Sequence, residues 1–322
     1  MNIIVSIRSI GIPNFNSQFK ILYQNGIRFV RVNLKTLATE EQTQKCMDMV
    51  INLITNYPDI RILLDIGYPG TTPRMHILNR QHCIKVKKDE LLNIKFSGIG
   101  NKVFCDRFDS SKLQPGTDVI FGDGELMARI WKIDNTSIQL RMVNDGIIWD
   151  GRTLQQEGIL IHNKELKNYK EFIDKIPINN LKGIALSFVH SADECIQARD
   201  TFGPNVHCVA KIEDKIGATN INNICGSIDE IFIGRGDLYF HVSNKEYWNT
   251  IENCLSIAKA KSKKLIIGTD ILESFSYQTI PNRADLVDFL SFMKYEPESI
   301  VLSAKVAFSP YIECCMDWLN KF

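Results

Sequence analysis

Strand-length apolar runs alternate with helix-length amphipathic segments along most of this chain, the pattern of a parallel α/β fold. Eight runs are predicted as strands, near 3–6, 29–33, 62–65, 183–187, 206–211, 230–234, 265–269 and 299–303. Helical periodicity fills the gaps, for example over 40–55, 164–175, 192–201, 246–260 and 283–293. Parallel neighbours need a crossover long enough to lie over the sheet, usually a helix. Eight strands joined this way predict a closed (β/α)8 TIM barrel. One interval breaks the rhythm. Between Thr72 and Gly158 the pattern shortens to alternating pieces at 84–87, 102–104, 118–121, 126–131 and 137–142. Turn signals separate them, such as Gly98-Ile-Gly100, Pro115-Gly116, Gly122-Asp-Gly124 and Asn144-Asp-Gly146. A structureless loop of that length is improbable in a compact domain. The chain therefore divides into a barrel over 1–71 and 159–322 and a small antiparallel β-barrel domain, a lid, over 72–158, inserted after strand three.

Composition narrows the partners. Lysine plus arginine (38) balance aspartate plus glutamate (37), so nothing favours a nucleic acid or an anionic membrane electrostatically. An apolar content of 44% suits a globular core, while no stretch approaches the ~20 apolar residues that cross a bilayer. The run Met1–Ser6 has strand length and no basic lead, so no signal peptide and a cytoplasmic location are expected. Nine cysteines without Cys-x-x-Cys or zinc spacing predict free thiols, with Cys314-Cys315 in a core or interface role.

Candidate chemistry concentrates in Val209-Ala-Lys-Ile-Glu-Asp214 and Ile231-Phe-Ile-Gly-Arg-Gly-Asp-Leu238. Each is a short apolar strand ending in charge. Lys211 and Glu213 share one face because side chains alternate with period two, and Asp237 follows the next strand beside Arg235 on a glycine-flanked turn. Two carboxylates at the mouth of a barrel, with a lysine beside one of them, suit a divalent metal holding an oxyanion. Helix-start amides at Gly236 and Asp237 are expected to bind a carboxylate or phosphate. The competing reading is a structural Lys–Glu salt bridge and an ordinary helix cap. The Arg-Gly-Asp tripeptide also invites a cell-adhesion reading, which a barrel context disfavours. Upstream, Arg31 and Asn33 stand two apart at a strand end, where a guanidinium could meet phosphate or form an interstrand salt bridge.

These segments resemble the active site of the pyruvate kinase family, and the likeness runs from Ile3 to about Phe308. Phe29-Val-Arg-Val-Asn33 resembles its second strand, Leu63-Leu-Asp65 its third, and Ile184–Val189 its Ser-Phe strand with Ser187. Ile266–Ser274 resembles the seventh, Pro281–Asp285 the segment after it, and Ile300–Ser303 the eighth. The resemblance implies Mg²⁺ or Mn²⁺ on Glu213 and Asp237, and phosphoenolpyruvate or pyruvate as substrate with ADP/ATP or another small molecule as phosphoryl partner. It implies catalytic roles for Lys211, Arg31 and Thr269, and substrate binding by Gly236, Asp237, Ser187 and Arg74. Asn33, Lys35 and Asp65 fall at the family's monovalent-cation site, and Asp123 at a lid turn near the nucleotide side. Homo-oligomerisation stays open.

Departures accompany the likeness. Lys35 replaces a potassium-binding serine and Ile66 a threonine, so activity independent of K⁺ is expected. The lid hinge is reduced to Gly67-Tyr-Pro-Gly-Thr-Thr-Pro-Arg74, Thr36 stands where the family has a histidine, and Lys305 where it has a glutamate. The chain stops one helix past strand eight, so neither the family's regulatory C-terminal domain nor its sugar-phosphate control is expected. Three readings compete: a pyruvate-kinase-like phosphotransferase, a metal-dependent pyruvate-enolate lyase or aldolase, and a non-catalytic phosphoenolpyruvate-binding protein.

Overall fold

The computed structural model describes residues 1–7, 15–37, 39–96, 98, 101–109, 111, 113–156, 159–162 and 165–322. Contacts divide the chain into two units. One comprises Met1–Pro69, Glu165–Leu238 and Asn244–Phe322; the other comprises Gly70–Lys164 with Tyr239–Ser243.

In the first unit eight parallel strands close a barrel: β1 (Asn2–Ile7), β2 (Phe29–Asn33), β3 (Arg61–Thr71), β4 (Leu181–Ser187), β5 (Cys208–Ile212), β6 (Glu230–Gly234), β7 (Lys264–Gly268) and β8 (Ser299–Leu302). β8 pairs with β1, and β2 pairs with β3, so no edge remains. The strands are buried on both faces, which is why they read as near-continuous Val/Ile/Leu runs. Alternation sorts the two faces. Ile4, Leu63, Ala185, Val209, Phe232, Ile266 and Val301 form one packed layer inside the barrel. Two residues further along each strand the inward positions turn polar or vanish: Ser6, Asp65, Ser187, Lys211, Gly234 and Gly268. Val30 and Val32 of β2 are fully buried, leaving Phe29, Arg31 and Asn33 on its opposite, inner face.

The helices begin where local chemistry caps them. Ser191 and Glu194 make a capping box at α4 (Ala192–Phe202), counting helices in chain order after α1 (Phe15–Gln24), α2 (Glu40–Asn56) and α3 (Lys167–Asp174). Asp214 caps α5 (Lys215–Ile224) through Gly217 N–H, and α6 (Arg235–His241) and α7 (Tyr247–Ala260) follow. Asn282 caps α8 (Arg283–Met293), whose bounds are those read from the sequence. None of the helices among the described residues is long and apolar enough to cross a membrane. All nine cysteines are free thiols, eight of them buried. Burial pushes the thiols of Cys46, Cys195, Cys254 and Cys315 up to about 12, which makes them unreactive.

The inserted unit holds a two-stranded antiparallel ladder, Cys83–Val86 with Gly146–Trp149, and a seven-stranded sheet in the order Leu154–Gln155, Asp118–Phe121, Leu126–Ile133, Ser137–Met142, Leu91–Lys95, Val103–Cys105, Met75–Ile77. A bridge from Arg74 to Thr153 brings its two ends together, so the sheet nearly closes. Its ladders are antiparallel except where Lys95 meets Phe104. Inward residues such as Ile94, Val119, Ala128, Ile138 and Leu140 fill the interior. Sequence patterning set the insertion at 72–158. The contact division falls at Gly70 because β3 continues to Thr71, where Gly70 and Thr71 pair with Ile161–His162. Ile99 and Gly100 of one predicted turn, and Gly158, lie outside the described residues.

Within this unit His76 Nε2 lies 2.6 Å from Asp106 Oδ1. That hydrogen bond raises the imidazole's pKa above 6.5, against the opposing effect of burial. A raised folded pKa gives stability that is complete below the unfolded value and lost as pH climbs through the folded one. The opening free energy of the inserted unit, from amide hydrogen exchange corrected for its base-catalysed intrinsic rate, is therefore expected to fall as pH climbs above about 6.5, and His76→Asn to remove that slope. An unchanged slope in His76→Asn contradicts the assignment.

Candidate active site

Five strands deliver polar side chains to one point. Asp65 at the inner face of β3 is fully buried. Arg31 from β2 donates to its Oδ2 through Nε at 2.9 Å and through Nη2, while Arg31 Nη1 donates to Ser6 Oγ of β1 at 2.9 Å. Lys211 Nζ of β5 stands 3.1 Å from Asp65 Oδ2, and Ser187 Oγ of β4 donates to Oδ1 at 3.1 Å. Lys35 adds a further ammonium 3.6 Å from Oδ1, on a side chain only 7% exposed. Its short turn, Leu34–Thr36, is capped by Asn33, whose side chain accepts from Lys35 N–H at 3.0 Å. Burial opposes ionisation of Asp65, but Lys211, Lys35 and Arg31 outweigh it and hold the carboxyl far below the usual range.

Glu213 completes the cluster. Its Oε1 is 2.6 Å from Lys211 Nζ, and its Oε2 accepts from Phe188 N–H at 3.0 Å. Burial pushes Glu213 up against the pull of Lys211 and Lys35. Lys211 moves up although burial opposes it, because Asp65 and Glu213 both face it. In Lys35 burial wins over Asp65 and the pKa falls. The Lys211–Glu213 ion pair foreseen as the plain alternative is thus present, and Glu213 also lines a cavity of about 230 Å³.

Arg31, Lys211, Asp237 and Thr269 line that cavity with it. Phe232 forms its apolar floor, with Lys211 Nζ 5.6 Å and Arg31 Cζ 5.9 Å from the ring centroid. Gly268 leaves room for this ring, since a Cβ there would meet Phe232 Cε2 at 2.5 Å. The glycines around Arg235 have a similar steric cause. A Cβ on Gly234 would sit 2.5 Å from Glu213 Cγ, and one on Gly236 2.8 Å from Thr269 Cγ2. Arg235 itself is buried and holds Asp288, which removes it from any adhesion role.

Arg74 and Asp123 belong to the inserted unit. Arg74 Nη1 donates to the Gly151 carbonyl at 2.8 Å, and Asp123 lies 78% exposed on a turn, 3.8 Å from Arg152. Lys305 pairs with Glu273 at 3.4 Å. The side chain of Thr36 lies outside the described residues. Ser6, Phe232 and Asp270 line the cavity although the sequence reading passed over them. The inward parity of Ile4 and Gly234 could have flagged the first two.

Among the described residues no group of three or more His, Cys, Asp or Glu side chains is placed to hold a metal. Glu213 and Asp237 are two hard oxygen donors on one cavity. That set suits Mg²⁺ or Mn²⁺, which commonly take one or two carboxylates and complete their shell with substrate and water.

The architecture defines the class: a TIM barrel with a β-domain inserted after its third strand and a charged cluster at the strand ends. The family model described as the pyruvate kinase barrel domain matches residues 5–313, and the chain belongs to the pyruvate kinase family. A pyruvate kinase of Thermoplasma acidophilum is 27% identical over 297 residues, covering 91% of this chain and 52% of that protein. One from Agaricus bisporus is 25% identical over 299 residues, covering 89% and 56%. The crystal structure of a pyruvate kinase from Cryptosporidium parvum superposes with a TM-score of 0.74 at 22% identity, over 99% of this chain and 68% of that one. The chain spans about half the length of the curated relatives it matches.

Asp65 neutralises three cations at once. Asp65→Asn is expected to destabilise the barrel by about 3–5 kcal/mol, since it strands the buried Lys35 without a paired carboxylate and leaves Lys211 only Glu213. Urea unfolding measures this, and a loss below about 1 kcal/mol contradicts it.

Proposed function

We propose that this chain is a pyruvate-kinase-like phosphotransferase. Its substrates are phosphoenolpyruvate or pyruvate, handled through a metal-stabilised enolate, with ADP/ATP or another small molecule as phosphoryl partner. The observation that carries the reading is the meeting of two carboxylates, Glu213 and Asp237, with two cations, Arg31 and Lys211, on one cavity. Glu213 and Asp237 would hold Mg²⁺ or Mn²⁺. When bound, such an ion supplies Lewis-acid stabilisation of developing oxygen charge.

The chain's own groups do the rest. Lys211, braced by Asp65 and Ser187, presents an ammonium to the bridging oxygen or the transferred phosphoryl group. Arg31 offers a planar fork that orients phosphoryl oxygens. Gly236, whose missing Cβ lets Thr269 approach, would bind the substrate carboxylate through its backbone N–H beside Asp237. Thr269 stands at the same cavity, where its hydroxyl can relay a proton to the reacting carbon. Positioning and fixed charge carry most of such a reaction. Arg74 and Asp123 are assigned no step. Incubation with phosphoenolpyruvate, Mg²⁺ and ADP, followed by phosphorus NMR, tests the reading. Absence of both transfer and metal-dependent ligand binding sinks it.

Lys211→Met is expected to keep Mn²⁺ affinity, measured by electron paramagnetic resonance, while losing about 10²–10³ in turnover. Wild-type rates in that variant overturn its role. Lys35 sets a tethered ammonium beside Asp65 where a monovalent cation would otherwise serve. Replacing K⁺ with tetramethylammonium should leave turnover unchanged, and Lys35→Ser should create a K⁺ requirement. Turnover by the wild type that vanishes without K⁺ disproves the substitution.

A further inference from the structure

Arg235 has no part in the reaction described above, yet every arm of its guanidinium is engaged. Nε donates to the Gly268 carbonyl at 3.0 Å, Nη2 to the Thr269 carbonyl, and Nη1 to both Asp288 oxygens at 2.6 and 2.8 Å. Its Cζ lies 4.8 Å from the Phe292 ring centroid, and Tyr247 Oη donates to the Arg235 carbonyl at 3.0 Å.

The carbonyls it grips lead into a strained turn. Thr269 and Asp270 both adopt left-handed backbone, with φ of 70° and 53°. A β-branched residue there is a genuine outlier. Such a conformation persists only where its surroundings over-determine it, and it collects at functional sites. Both residues of this turn line the cavity of the candidate active site.

We propose that Arg235 is a positioning residue. Anchored by Asp288 on α8, it holds the Thr269–Asp270 turn so that these side chains face the substrate, and it touches no substrate itself. The fork geometry matters here. A lysine ammonium could satisfy Asp288 or one carbonyl, but it cannot fix a plane across all three acceptors.

The inference rests on the proposed reaction, and the test separates the two. Arg235→Lys and Asp288→Asn are assayed in the full chain for phosphoenolpyruvate turnover with Mg²⁺, for Mn²⁺ binding by paramagnetic resonance, and for thermal midpoint. Positioning predicts that kcat falls about 10- to 100-fold in both, while KM and Mn²⁺ affinity shift by less than about threefold. Asp288→Glu, which keeps a bidentate acceptor, should retain more activity than Asp288→Asn. Because Asp288 is 34% exposed, its variants keep the test open even where Arg235→Lys fails to fold. Unchanged kcat in the Asp288 variant, with an active wild type, overturns the inference alone. A parallel fall of kcat, Mn²⁺ affinity and thermal midpoint also overturns it, since that marks only a structural tie. A wild type inert toward phosphoenolpyruvate and blind to Mn²⁺ overturns the reaction and the inference together.

Discussion

A single buried carboxylate holds the strand ends of this barrel in register. Asp65 has no access to water, and ionised it would be intolerable in such a place without partners. Arg31, Lys35 and Lys211 supply them, and the buried ammonium groups of Lys35 and Lys211 would be costly without a carboxylate. The four groups are therefore acceptable only as a set. Their mutual dependence fixes the register of β2, β3 and β5 at this level of the barrel. Glu213 is drawn in by Lys211 and steadied by Phe188 N–H, so its direction is inherited from the same arrangement.

The backbone makes that set possible with few specialised residues. Period-two alternation stacks an apolar layer, which includes Val209 and Phe232, directly beneath a polar one that includes Lys211. The lower layer keeps water from below. Phe232 offers its face to two cations, and Gly268 removes the one atom that would displace the ring. Below the site the barrel is an ordinary packed core, and above it the strand ends carry the charges, as the fold generally requires.

Much of the fold was legible because buried parallel strands leave long apolar runs, and because helix 283–293 begins at a clear Asn282 cap. The third strand was harder. Sequence patterning ended it at Asp65, whereas it runs through Gly67, Tyr68 and Pro69 to Thr71. Glycine and proline argue locally against a strand, and the irregular pairing of Ser187 with Pro69 is a tertiary accommodation that no local pattern encodes. Two-residue strands such as Leu154–Gln155 carry no period to detect. In the site, the shared face of Lys211 and Glu213 followed from spacing alone. The central place of Asp65 did not, because it depends on side chains meeting from strands far apart in the chain. Thr269 was singled out by the resemblance to the family's seventh strand, while its left-handed backbone had no signature in the sequence.

The tetrapeptide Gly234-Arg-Gly-Asp237 shows how little three letters mean without their surroundings. On an open loop the same spelling would be displayed for a receptor to grasp. Here its first three residues answer to neighbours within the fold, as a missing methyl beside Glu213, a planar cation filling a socket and a second missing methyl beside Thr269, while Asp237 lines the cavity. Searching proteomes for this string would recover both kinds indiscriminately, and only solvent accessibility would separate the ligand from the hinge pin.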